Sequence, residues 1–192
     1  MVKTENFDKV LVASATELRQ WLTANHGQKE SVWLVTYKKK VPDKYVSVQE
    51  VLDELLCFGW IDGIRRKLDE NKTMQLIAPR QAEHWTKTYK DRFAKLEAAG
   101  TMTDAGRKQV LKSKANGSWH FMDDVDQLIK PKDLIECLEQ HPPAMDCFNK
   151  FSPSSQRFIL RWIKLSKTDA TRQKRILEAS LLAKDNKKIP GL

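Results

Sequence analysis

Ser47-Val48-Gln49-Glu50-Val51-Leu52-Asp53-Glu54-Leu55-Leu56-Cys57-Phe58-Gly59-Trp60-Ile61-Asp62-Gly63-Ile64-Arg65-Arg66-Lys67-Leu68 changes its periodicity in mid-course, and that change decides the fold class. Ser47 and Glu50 have the spacing of a capping box, in which each side chain satisfies the other residue's backbone N–H. Val48, Val51, Leu52, Leu55 and Leu56 then recur at helical intervals, so a helix buries this stripe and stops near Gly59. Beyond the glycine, Ile64–Leu68 and Thr73–Ala78 are short strand-like runs joined by the polar turn Asp69-Glu70-Asn71-Lys72. This predicts a hairpin closed by Pro79.

On the N-terminal side, Ser14 and Glu17 repeat the capping-box spacing, and Leu18, Trp21 and Leu22 carry a first helix to about Asn25. Ser31–Tyr37, dense in β-branched and aromatic residues, reads as a largely buried strand that Lys38, Lys39 and Lys40 leave for solvent. On the C-terminal side, Tyr89, Phe93 and Leu96 have helical spacing up to Gly100, and Thr103 caps a further helix through about Lys114. Ala115-Asn116-Gly117-Ser118 is the best linker, and the strand signal disappears after it. Pro131, Pro143 and Pro153 sit where a first-turn proline begins a helix, and Thr168 caps the last one. The expectation is an α+β protein. A small antiparallel or mixed sheet with packed helices spans 1–116, and an all-helical, basic C-terminal module spans 117–192 and packs on it.

Hydrophobic residues at 41%, charged residues at 31% and only 7 Gly and 7 Pro give a globular balance, not a disordered one. Residues 150–192 hold 11 Lys and Arg against 3 Asp and Glu, so nearly all of the net charge of +9 sits there. Val10–Ala13 is too short for the apolar segment of a secretory signal, and no run reaches the roughly 18 residues of a membrane span. A cytoplasmic location without transmembrane insertion is expected. Cys57, Cys137 and Cys147 lack metal-ligand spacing and cannot all pair, which favours reduced thiols.

Four residues at element ends form the candidate pocket. Trp60, Asp62, Arg80 and Trp85 would offer aromatic walls and one opposed charge pair to a small polar ligand. Asp62 beside Gly63 also reads as a turn residue, and both tryptophans as core anchors. Cys57 lies near a helix C-terminus, where the dipole disfavours a thiolate, so a buried structural thiol is favoured over a nucleophile. His26, His84, His120 and His141 have no metal-helix spacing, and no phosphate-binding glycine loop is visible, so no metal or cofactor is assigned. Arg157, Arg161 and Lys164 recur at i, i+4, i+7 opposite Phe158, Ile159, Trp162 and Ile163. This basic stripe is either a solvated face or a surface for nucleic acid or an acidic protein.

Tyr37-Lys38-Lys39, Cys57-Phe58-Gly59-Trp60-Ile61-Asp62-Gly63, Pro79-Arg80 with Trp85, Gly100-Thr101-Met102, Phe151-Ser152-Pro153-Ser154 with Trp162-Ile163, and Thr171-Arg172 with Arg175-Ile176 form a series of motifs. This series resembles the YdeI/OmpD-associated, bacteriocin-protection family. The resemblance covers about residues 15 to 190, and its most specific piece is Cys57–Gly63. Where the family suggests Ser-x-Trp-Ser-x-x-Asn, this chain has Glu83-His84-Trp85-Thr86-Lys87-Thr88-Tyr89. The resemblance implies a protection role or envelope association and supplies no reaction. The leading expectation is a non-enzymatic binding protein of the protection or stress type. The alternatives are an enzyme for a small polar or anionic substrate, with Asp62 as acid/base and Arg80 as anion holder, and a nucleic-acid-binding module.

Overall fold

The structure, a computed structural model, describes residues 7–81 and 84–189, which form two compact units divided between His120 and Phe121. The first unit runs β1 (Lys9–Leu11), α1 (Ala15–Asn25), β2 (Val32–Tyr37), α2 (Val48–Cys57), β3 (Trp60–Lys67), β4 (Lys72–Pro79), α3 (Lys87–Ala98) and α4 (Asp104–Ala115). Its sheet is mixed, in the order β1-β2-β4-β3, with β1 parallel to β2 and the other pairs antiparallel. β1 was not expected, because three residues are too few to show alternation. It exists through pairing with β2, to which the Trp33 N–H adds a bond to the Asp8 carbonyl at 2.8 Å.

The capping box at Ser47 and Glu50 forms as expected. Asp69 closes the hairpin turn by accepting the Asn71 and Lys72 N–H groups, each at 2.7 Å. β3 corrects the expectation that a strand begins at Ile64. It begins at Trp60, directly after Gly59, whose φ of +74° turns the chain out of α2 in a conformation that glycine adopts without strain. Asp62-Gly63 therefore lies inside a strand, where pairing with β4 shifts register between Asp62 and Arg65. Val32, Leu34, Trp60 and Ile77 join Leu18 and Leu22 of α1 and Val51, Leu55 and Leu56 of α2 in one core.

α4 approaches α2 end to end. Thr103, the N-cap of α4, donates from its N–H and from its hydroxyl to the Cys57 carbonyl, at 3.2 and 2.5 Å. A Cβ on Gly106 would stand 2.3 Å from the Cys57 carbonyl oxygen and 2.8 Å from that of Leu56. Only glycine allows this spacing. The Cys57 carbonyl, one of those that a helix end leaves unsatisfied, thus finds donors at the positive end of α4.

Every secondary-structure element among the described residues of the second unit is a helix: α5 (Asp123–Asp126), α6 (Lys132–Glu139), α7 (Ala144–Lys150), α8 (Pro153–Lys164) and α9 (Asp169–Lys184). Pro153 takes the first helical position as expected, whereas Pro131 and Pro143 stand one place earlier, at the N-caps. Leu134, Leu138, Phe148, Ile159, Ile163 and Ile176 share its core.

Replacing Gly106 by Ala should cost about 3 kcal/mol of unit 1 stability through overpacking against backbone. Gly117→Ala, where φ is +78° and nothing lies within 4 Å of the new Cβ, should cost about 1 kcal/mol. Urea unfolding followed by tryptophan fluorescence compares them. Equal costs would mean that the α2–α4 approach yields freely.

Candidate functional site

The corner where α2 meets β3 also fixes Arg80. Its N–H donates to the Gly59 carbonyl at 2.9 Å, and its own carbonyl accepts from the Gln109 side-chain amide of α4. The Arg80 side chain is buried, with its guanidinium carbon 4.0 Å from the centroid of the Trp85 ring and 5.0 Å from that of Tyr89. Stacking on two aromatic faces offsets part of the cost of desolvating this charge.

Tyr89 connects Arg80 to Asp62. Its hydroxyl donates to one Asp62 oxygen at 2.6 Å, while the Gln75 amide donates to the other at 2.9 Å. Arg65 in turn donates to the Gln75 carbonyl oxygen at 2.6 Å. Burial, followed by the hydrogen bond and charge of Asp62, pushes the Tyr89 phenol well above the ordinary tyrosine range. The Asp62 carboxylate is thus held by internal donors on both oxygens.

Of the four residues singled out in the sequence, Asp62, Arg80 and Trp85 are linked through Tyr89. Trp85 also meets Trp119 at 5.0 Å, and its indole N–H is buried without a hydrogen-bond partner among the described residues. Trp60 shares the same core but turns towards α1. Its indole donates to the His26 carbonyl at 3.1 Å, and its ring meets Trp21 edge-on at 5.6 Å. Cys57 is buried, and desolvation raises its thiol pKa above the ordinary value.

An open hollow of about 820 Å³ lies beside this network, between the α2–β3 corner and α4. His26, Phe58, Pro79 and Arg80 form one side, and Lys108, Leu111, Lys112 and Ala115 of α4 the other. Trp60, Asp62 and Trp85 are not among its lining residues. Lys108, Leu111, Lys112 and Ala115 fall at i, i+3, i+4, i+7, one helical face, a pattern that the unassigned Thr103–Lys114 helix already carried in the sequence. Tyr89 and Gln75 were missed as site residues. Gln75 left a signal, as a polar residue two places before Ile77 on the inward side of a strand.

In the second unit the basic stripe divides. Lys164 pairs with Asp124 at 2.5 Å and lies over the Phe121 ring, whereas Arg161 is exposed and Arg157 half-buried. The Thr171-Arg172 motif has a structural role. Arg172 grips the Asp133 carboxylate with two bonds, at 2.7 and 2.9 Å, which holds that carboxyl below its usual pKa. Arg175 stacks on Trp162 and donates to its carbonyl, tying α9 to α8. Among the described residues no cluster of three His, Cys, Asp or Glu could hold a metal ion, and no helix is long and apolar enough to cross a membrane.

These features define a two-unit α+β protein with a ligand-sized hollow in its first unit. Residues 10–109, more than half of the chain, match the family described as a domain of unknown function, DUF8412, and the chain belongs to that family. Residues 127–186 match OmdA, described as bacteriocin-protection, YdeI or OmpD-associated, so the second unit carries a domain of that family. The Cys57–Gly63 run falls within the first match and the Thr171–Ile176 motif within the second. No curated protein and no solved structure matches the chain significantly.

Replacing Tyr89 by Phe should cost about 2 kcal/mol at pH 7, because a hydrogen bond to a half-buried charged acceptor is lost. A raised phenol pKa means that the folded state holds this proton more tightly than the unfolded chain. The contribution is therefore complete below about pH 10, the ordinary tyrosine value, and is lost as pH rises towards the folded value. Urea unfolding between pH 7 and 11.5 should show the wild type and Tyr89→Phe converging above pH 10. A constant gap would contradict a protonated, half-buried Tyr89.

Proposed function

We propose that the protein is a non-enzymatic binding protein of the protection or stress type, and that the hollow beside Arg80 is its ligand site. One observation carries this reading. A buried, aromatic-stacked Arg80 borders a concavity whose volume falls within the roughly 300–1,000 Å³ common for small-molecule pockets. The Asp62 carboxylate, with one internal donor on each oxygen, and the buried, pKa-raised Cys57 favour binding over catalysis, since neither is presented as a free base or nucleophile. The description of the OmdA family as bacteriocin-protection supports the protection part. In the second unit, Arg157 and Arg161 are the remaining members of a basic helical surface for an acidic partner or nucleic acid, Lys164 being engaged by Asp124.

Native mass spectrometry of the purified protein tests the ligand reading. The expected result is a mass excess of one small molecule that vanishes on acid denaturation, with a 260/280 absorbance ratio of plain protein. An oligonucleotide mass with a raised ratio would favour the nucleic-acid module. A bare protein whose melting temperature no member of a metabolite panel changes would remove the ligand site.

A further inference from the structure

The face that α4 turns to the hollow has an unusual composition for a solvated helix surface. Leu111 is 65% exposed and stands between Lys108 and Lys112, across from Phe58 and Pro79. A single exposed leucine needs no explanation. This one lies on the wall of a concavity that Phe58 and Pro79 line from the other side, with a cation one turn before it and another directly after it.

The charges of the hollow are unbalanced. Neither Lys108 nor Lys112 forms a salt bridge among the described residues. Asp104 is the acid on the rim, and Arg107 binds its carboxylate at 3.0 Å. A purely apolar ligand would leave the ammonium groups unused, and a bare inorganic anion would leave Leu111, Phe58 and Pro79 uncovered. A nucleic-acid strand needs a cationic track along its length, whereas these cations gather at one hollow.

We propose that the hollow binds an organic anion with an apolar body, of the medium-chain carboxylate class. Its head group is met by Lys108 and Lys112, and its chain lies against Leu111, Phe58 and Pro79. This inference rests on the reading of the hollow as the ligand site. It adds the chemistry of what enters: Coulomb attraction selects the head, and burial of methylene groups, about 0.8 kcal/mol each, supplies affinity.

The fluorescent probe 1-anilinonaphthalene-8-sulfonate, itself an apolar anion, tests both levels. The folded protein should enhance its emission, octanoate should displace it, and octanol and acetate should do so at least tenfold less effectively. Lys108→Gln/Lys112→Gln should weaken octanoate at least tenfold, about 1.4 kcal/mol. Leu111→Gln should weaken both octanoate and the probe. All three positions are exposed, so circular dichroism should show retained folding. If octanol competes as well as octanoate and the double lysine variant is unchanged, the anion assignment is wrong while the hollow remains a site. If acetate competes equally, the apolar body is wrong. If the probe fails to bind, or binds Leu111→Gln undiminished, the hollow is not a ligand site and both readings fall.

Discussion

The end of α2 and the start of α4 meet at the Cys57 carbonyl, and the first unit is arranged around that contact. A helix C-terminus buried without donors is costly, and the Cys57 carbonyl gains two from Thr103. The approach requires a missing side chain at Gly106 and a left-handed turn at Gly59. These constraints place Gln109 over the Arg80 backbone and turn Lys108, Leu111 and Lys112 towards the hollow. One wall of the hollow is thereby built from a helix whose position is fixed by its own first turn.

The polar network behind that wall follows from the strand that leaves the same corner. Starting β3 at Trp60 places Asp62 on the face carrying Ile77 and Gln75, and Tyr89 reaches it from α3. A carboxylate so bonded ties α3 and β4 to β3. Arg80 stacks on Trp85 and Tyr89, which sets its charge against two π-faces.

The fold was legible in the sequence wherever local chemistry fixed it. The Ser47 capping box, the Asp69 turn and the helix caps at Thr103 and Thr168 all stand where the spacing put them. β1 was not legible, because its existence is a tertiary pairing, and neither was the early start of β3, because nothing local distinguishes a turn aspartate from one in a bulged strand. Pairing across long separations explains the site in the same way. Asp62, Arg80 and Trp85 could be picked by residue type, but Tyr89, which joins them, looked like one more apolar position on a helix. The division of the basic stripe was hidden as well, since Asp124 lies 40 residues from Lys164 and only packing of α5 on α8 reveals the pair.

NMR of the 15N-labelled protein during titration with octanoate tests the central claim most directly, because it locates binding without assuming its energetics. The account predicts amide shift changes concentrated at Phe58, Gly59, Arg80 and Lys108 through Ala115, saturating together with one affinity. Changes centred instead on Trp21, Asn25 and Glu30, which line a separate hollow of about 330 Å³, or scattered without saturation, would contradict it.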